Sequence, residues 1–152
     1  MNRVKSGIYF IIAELPTAAN IQVGKRREEQ FEAGYYGYVG SALNNLEKRV
    51  ARHLGTQKKL HWHIDYLLAV AKVQAVVHAE TKQRKECLVA QDLSRKLASK
   101  QNFGSSDCQC PSHLFFCKNF EHLKESGLDS FLQLNLIPSE INYCSDFTIP
   151  KE

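Results

Sequence analysis

Two tyrosines, one arginine and one glutamate, in the order Tyr9, Tyr38, Arg49 and Glu86, are side chains from which a single-metal phosphodiester cutter can be built. Hydrolysing a phosphodiester needs an activated water, neutralisation of the charge gathering on phosphorus, and help for the departing oxygen. A carboxylate holding one hard divalent ion, magnesium or manganese, serves the last two needs, and Glu86 can supply it. A guanidinium matches phosphate with two parallel donors, which fits Arg49. His53 follows Arg49 by four positions, so both project from one face of a helix. Tyr9 and Tyr38 sit in short glycine-bearing segments, Gly7-Ile8-Tyr9 and Tyr38-Val39-Gly40-Ser41; on neighbouring strands their hydroxyls can hold the water. A free tyrosine ionises at about pH 10, so a nearby metal or cation has to lower that value before it acts as a base. Taken singly, each residue has a plainer role: half-buried strand tyrosines, a surface arginine, a solvated glutamate, a histidine that neither ligates nor takes protons. Their order and spacing carry the argument.

A second constellation comprises His61, His63, Asp65, Cys108, Cys110 and His113. Cys108, Cys110 and His113 lie within six positions, a ligand density able to hold zinc. The Cys-x-Cys spacing differs from the two-residue gap of zinc knuckles, and no second cysteine pair follows. The favoured reading is a turn capped by small polar side chains, with reduced thiols packed beside Phe115 and Phe116. His61 and His63, with Lys58, Lys59, Arg52 and Ser41, are then read as lining a nucleic-acid groove.

The elements that must position these residues follow from apolar periodicity. Residues 7–15 (GIYFIIAEL) form a buried strand ended by Pro16, 21–23 start a second, and 31–39 form a third, together an antiparallel meander. Leu43, Leu46, Val50 and Leu54 recur at helical spacing, with Asn44 or Asn45 as cap and Gly55 as stop. A helix at 62–71, a strand at 73–79 and a helix at 82–99 follow. Residues 103–118 read as a loop, and a leucine-rich stretch at 128–137 precedes Pro138.

With 152 residues the chain is long enough for one real core, and its 43% hydrophobic and 24% charged residues are ordinary for a globular protein. No apolar run approaches the roughly 20 residues that span a bilayer, so no membrane partner is expected. The N-terminal residues lack a signal-peptide pattern, which gives a cytoplasmic expectation. Five cysteines without a secretion signal argue for reduced thiols or metal ligands over a disulfide framework. A net charge of +4 permits a nucleic-acid partner without requiring one.

In this order Gly7-Ile8-Tyr9, Tyr38-Val39-Gly40, Arg49, His53 and Glu86 resemble the GIY-YIG nuclease superfamily. The longer stretches His61-Trp62-His63-Ile64-Asp65-Tyr66 and 103–115 (FGSSDCQCPSHLF) are similar to a domain-of-unknown-function branch of it, found in prokaryotes alone or fused to DNA-repair glycosylases. The resemblance implies a metal-dependent endonuclease acting on DNA, with RNA as the alternative substrate, in repair or processing. It assigns the metal to Glu86, the phosphate to Arg49, and the water to Tyr9, Tyr38 and His53, one tyrosine being the general base. Two departures accompany it. Residues 16–33 insert an arm between the tyrosines that shields or redirects the site. Arg49 falls one place later after Gly40 than in the commonest spacing, which makes Arg52 the reserve phosphate ligand. The expected architecture is a single α/β domain, residues 1–118, with a small, mostly antiparallel central sheet of three or four strands flanked by helices. Residues 119–152 form a tail with a short helix packed on it. The rival reading is a non-catalytic nucleic-acid-binding module of the same fold, and a zinc-stabilised interaction domain is the third.

Overall fold

The computed structural model describes residues 6–23, 28–42, 46–55, 63–100, 103, 110 and 112–142. The expectations placed on Asn44, Asn45, Lys58, Lys59, His61 and Cys108 lie outside them, as does the side chain of His63.

In chain order the elements are β1 (Gly7–Leu15), β2 (Ala19–Gln22), β3 (Glu28–Phe31), β4 (Gly34–Ala42), α1 (Leu46–Leu54), α2 (His63–Leu68), β5 (Lys72–Glu80), α3 (Glu86–Ser94), β6 (Ala98–Ser99), β7 (Leu114–Cys117), α4 (Phe120–Gln133) and β8 (Ser139–Asn142). Six strands form one antiparallel sheet in the order β6-β7-β4-β1-β5-β8; β2 and β3 pair separately as a hairpin.

The fold is mixed α/β, but the expected sheet of three or four strands is overturned by this six-stranded one. The three-strand meander is also absent. β1 is apolar on both faces and nearly every residue in it is buried, so its backbone N–H and C=O groups, away from water, need a strand on each edge. It finds them in β4 and β5, while the polar hairpin ANIQ/EEQF folds aside. The helix expected at 82–99 ends at Ser94, and β6 takes its last two residues; two further strands had no readable signal. β7 sits in a segment whose Gly, Ser, Asp and Cys content imitates a loop, and β8 (SEIN) is exposed throughout, so neither shows alternation.

Helices cover both faces of the sheet. Ile8, Phe10, Ile12, Val39, Val77 and Ala79 pack against Val89 and Leu93 of α3 and Leu123 and Phe131 of α4. On the other face, Tyr9, Ile11 and Val76 meet Leu46 and Val50 of α1. Leu15, Tyr36 and Leu114 meet Ile64 and Leu67 of α2 and Ile21 and Phe31 of the hairpin. The 14-residue α4 is the longest of the described helices, and Asn119 caps it by accepting the His122 N–H at 2.9 Å. Gly127 costs that helix about 1 kcal/mol of propensity. It lets the helix settle on Phe10, whose Cδ2 a Cβ at this position would approach to 2.5 Å.

Candidate functional site

The register of β1 and β4 sets Tyr9 opposite Gly40 and Ile11 opposite Tyr38, so the tyrosines are diagonal neighbours on the α1 face. Their ring centroids are 6.4 Å apart. Gly40 makes room for the Tyr9 ring: a Cβ there would stand 2.4 Å from both Cζ and the hydroxyl oxygen. Helix α1 lies over this face through Leu46 and Val50, which directs His53 inward. The Tyr9 hydroxyl and His53 Nε2 are hydrogen-bonded at 2.9 Å, and both side chains are buried.

The edge of β4 completes the site. β7 pairs with it only from Tyr35 to Tyr38, after which the Val39 N–H donates to the His113 carbonyl at 2.9 Å. Ser41 shares Val39's parity, so its carbonyl also points to that edge, where it accepts from an Arg49 guanidinium nitrogen at 3.0 Å. The Ser41 hydroxyl donates to Glu86 Oε1. Arg49 arrives from the α1 side of the sheet and Glu86 from the first turn of α3 on the other side, and they meet at this edge. A carboxylate in the first turn also suits the helix dipole. The Glu86 side chain is 30% exposed, and Arg49 is half-buried.

Burial pushes the Tyr9 hydroxyl up to about 12; the charge and hydrogen bond of Arg49 pull it back, and Glu86 raises it further. Burial drives Tyr38 higher still, with Tyr9 and Glu86 adding to the rise. Both phenols are therefore neutral at pH 7. Burial lowers the His113 imidazole against the opposing pull of Glu86.

Five of the sequence-selected residues thus converge: Tyr9, Tyr38, Arg49, His53 and Glu86. Ser41, expected on nucleic acid, is the link between Arg49 and Glu86. Arg52, the reserve phosphate ligand, grips the fully buried carboxylate of Asp65 with two bonds of 3.0 and 3.1 Å. The inserted 16–33 arm contributes Ile21, Val23 and Phe31 to the core at the far end of β1 and β4, around Leu15 and Tyr36.

Sequence reasoning missed Cys87, which it read as an apolar helix position. Cys87, Cys110 and His113 bring their donor atoms within 4.8 Å of one another. Two thiols and an imidazole can hold a metal ion, and this donor set suits zinc better than magnesium. Cys87 adjoins Glu86 in sequence, a proximity that could have flagged it.

The chain belongs to the family described as domain of unknown function DUF123, whose model matches residues 8–136, from β1 to just beyond α4. The match includes every site residue placed above. No curated protein and no solved structure matches the chain. No helix among the described residues is long and apolar enough to cross a membrane.

Proposed function

We propose that the protein is a metal-dependent endonuclease of the GIY-YIG type that hydrolyses DNA phosphodiesters in the cytoplasm, in repair or processing. The observation that carries this reading is that Tyr9, Tyr38 and His53 beneath α1 and Arg49 and Glu86 at the β4 edge form one linked set. Glu86, partly exposed and oxygen-bearing, fits a magnesium or manganese ion, which keeps several waters and takes one or two carboxylates. When bound, such an ion supplies positive charge to the phosphate and the departing oxygen.

The chain's own residues supply the rest. Arg49 offers guanidinium N–H groups to the non-bridging phosphate oxygens. The Tyr9–His53 pair moves the proton without requiring a resting tyrosinate, which a value of about 12 would make scarce. Attacking water gives one proton to the Tyr9 oxygen while Tyr9 passes its own to His53 Nε2, in the tautomer that leaves that nitrogen unprotonated. The water oxygen forms the new P–O bond, the opposite P–O bond breaks, and the leaving oxygen takes a proton from solvent.

The test is a cleavage screen over duplex, single-stranded, flap and branched DNA, and RNA, with magnesium or manganese. Divalent-dependent nicking that Glu86→Ala abolishes in folded protein is the expected result; nicking retained in that variant overturns the assignment. The burial of Tyr9 and His53 favours one rival, a non-catalytic nucleic-acid-binding module, which would bind in a salt-sensitive way and cut nothing.

A further inference from the structure

The Cys87, Cys110 and His113 cluster is not used by the proposed hydrolysis, yet it touches it. The two nitrogens of His113 face different partners. Nε2 lies 3.9 Å from Cys87 Sγ, and Nδ1 lies 3.7 Å from Glu86 Oε2. A metal-ligating histidine is characteristically backed by a carboxylate on its other nitrogen, which fixes the ring and raises its basicity.

We propose that Cys87 Sγ, Cys110 Sγ and His113 Nε2 bind zinc, and that Glu86 is the carboxylate behind the histidine ligand. The geometry is close to what zinc needs. Bonds of about 2.3 Å to sulfur and 2.0–2.1 Å to nitrogen, at tetrahedral angles, set donor atoms roughly 3.5–3.8 Å apart. The Cys87–His113 separation of 3.9 Å nearly meets this, and the whole set lies within 4.8 Å. Contraction of at most about 1.3 Å closes it. Three of the four donors of a tetrahedral site are thereby in hand.

Two of the three ligands stand on hydrogen-bonded backbone. Cys87 is in the first turn of α3. The His113 N–H donates to the Phe103 carbonyl at 2.8 Å, and its carbonyl accepts from Val39, which ties it to β4. The Cys110 thiol faces the Cys87 carbonyl at 3.9 Å. His113 and Cys110 are 3% and 7% exposed and Cys87 is partly exposed, so two of the three donors are screened from water.

A thiol nucleophile could also use the line Cys87, His113, Glu86, since a base beside a thiol and a carboxylate behind the base are its parts. It has no use for a second thiol. Cys110 within the same 4.8 Å sphere is what a metal requires. Cys87 and Cys110 are free thiols in the structure and form no disulfide. The consequence of the zinc reading is that Glu86 would serve two centres, the divalent ion of the proposed hydrolysis and, through His113, zinc. The zinc assignment stands apart from the nuclease reading, because it is read from metal content and not from cleavage.

The experiment is metal analysis by plasma mass spectrometry of the full chain, purified under reducing conditions. About one zinc per chain is expected. Cys87→Ser and His113→Ala should each lose it, and Cys117→Ser, a thiol on β7 outside the cluster, should keep it. If the ligand variants fail to fold, cobalt(II) added to metal-depleted wild-type protein gives the same answer, through thiolate-to-cobalt charge-transfer absorption in the near ultraviolet. Glu86→Gln should keep the site but weaken zinc affinity about 10–100-fold, as loss of a carboxylate behind a ligating histidine does. Zinc-free protein that also shows no thiolate band with cobalt overturns the proposal. So does zinc retained in Cys87→Ser, or, in protein purified without reductant, a mass about two daltons low from a Cys87–Cys110 disulfide.

Discussion

Ser41 donates its hydroxyl to Glu86 while its carbonyl accepts from Arg49 at 3.0 Å, so one serine joins the carboxylate from one face of the sheet to the guanidinium from the other. The link exists because β7 stops pairing at Tyr38, leaving the Ser41 backbone carbonyl for a side chain. A cation from one face of the sheet and an anion from the other are thereby brought to one strand edge through a single serine.

Glu86→Gln removes the charge and keeps an oxygen to accept from Ser41. Divalent-dependent nicking should fall about 10²–10³-fold, the scale of losing one preorganised electrostatic group. In metal-depleted protein, where zinc binding adds nothing to stability, the thermal midpoint should stay close to that of wild type. Single-turnover cleavage beside a melting curve separates the two effects; a fall in both would point to a structural role for the carboxylate.

The raised Tyr9 value implies a stability effect at high pH. A tyrosine at about 12 in the fold and about 10 in the unfolded chain binds more protons when folded between those values. Its contribution is complete below pH 10 and is lost as pH rises through 12, worth roughly 2–3 kcal/mol for two pKa units. Tyr38, pushed up further by burial, adds to the same loss. Urea unfolding between pH 9 and about 12 should show stability falling, and Tyr9→Phe should flatten that fall. At pH 7 Tyr9→Phe should slow nicking about 10²–10⁴-fold by breaking the proton path to His53.

Much of this site is legible in the amino-acid sequence alone. Tyr9, Tyr38, Arg49 and His53 lie in or beside strongly periodic segments, and β-strand alternation and the i, i+4 helical step set which way they face, while the β1–β4 pairing that makes the tyrosines neighbours is non-local. Glu86 depends on a helix start, which the sequence pattern puts four residues too early. What stays hidden is non-local. Nothing in LFFC or SEIN says that β7 pairs with β4 and β8 with β5, because strand pairing is decided by which edges β1, β4 and β5 leave open. Cys87 is hidden for the same reason: its partners Cys110 and His113 are more than 20 positions away, whereas the dense Cys-x-Cys motif draws attention to neighbours in sequence.

Gly40→Ala tests the close packing under the site. The new Cβ would sit 2.4 Å from the Tyr9 ring in the middle of a strand, where the backbone has little freedom to yield. Overpacking of this kind costs about 1–3 kcal/mol. Because the strained contact is with Tyr9 itself, nicking should be lost more steeply than stability. Chemical denaturation and cleavage rates on the same preparation check this, and an unchanged rate would place Tyr9 outside the reaction.

Arg49 and Arg52 are three residues apart on α1, and the structure gives them opposite tasks. Arg52 holds both oxygens of Asp65, whose side chain has no exposure. Arg52→Ala removes the guanidinium from a buried carboxylate, and breaking such a pair costs about 3 kcal/mol. Arg49, half-buried at the sheet edge, donates to the Ser41 carbonyl, and replacing that contact costs about 1 kcal/mol. Arg49→Ala should therefore leave the fold nearly intact while slowing nicking about a hundredfold through the lost phosphate donor. Arg52→Ala should lower the urea midpoint strongly, with cleavage by the remaining folded fraction close to wild type. If the two variants exchange these signatures, Arg52 is the phosphate ligand and the one-residue offset in the helix has been read the wrong way.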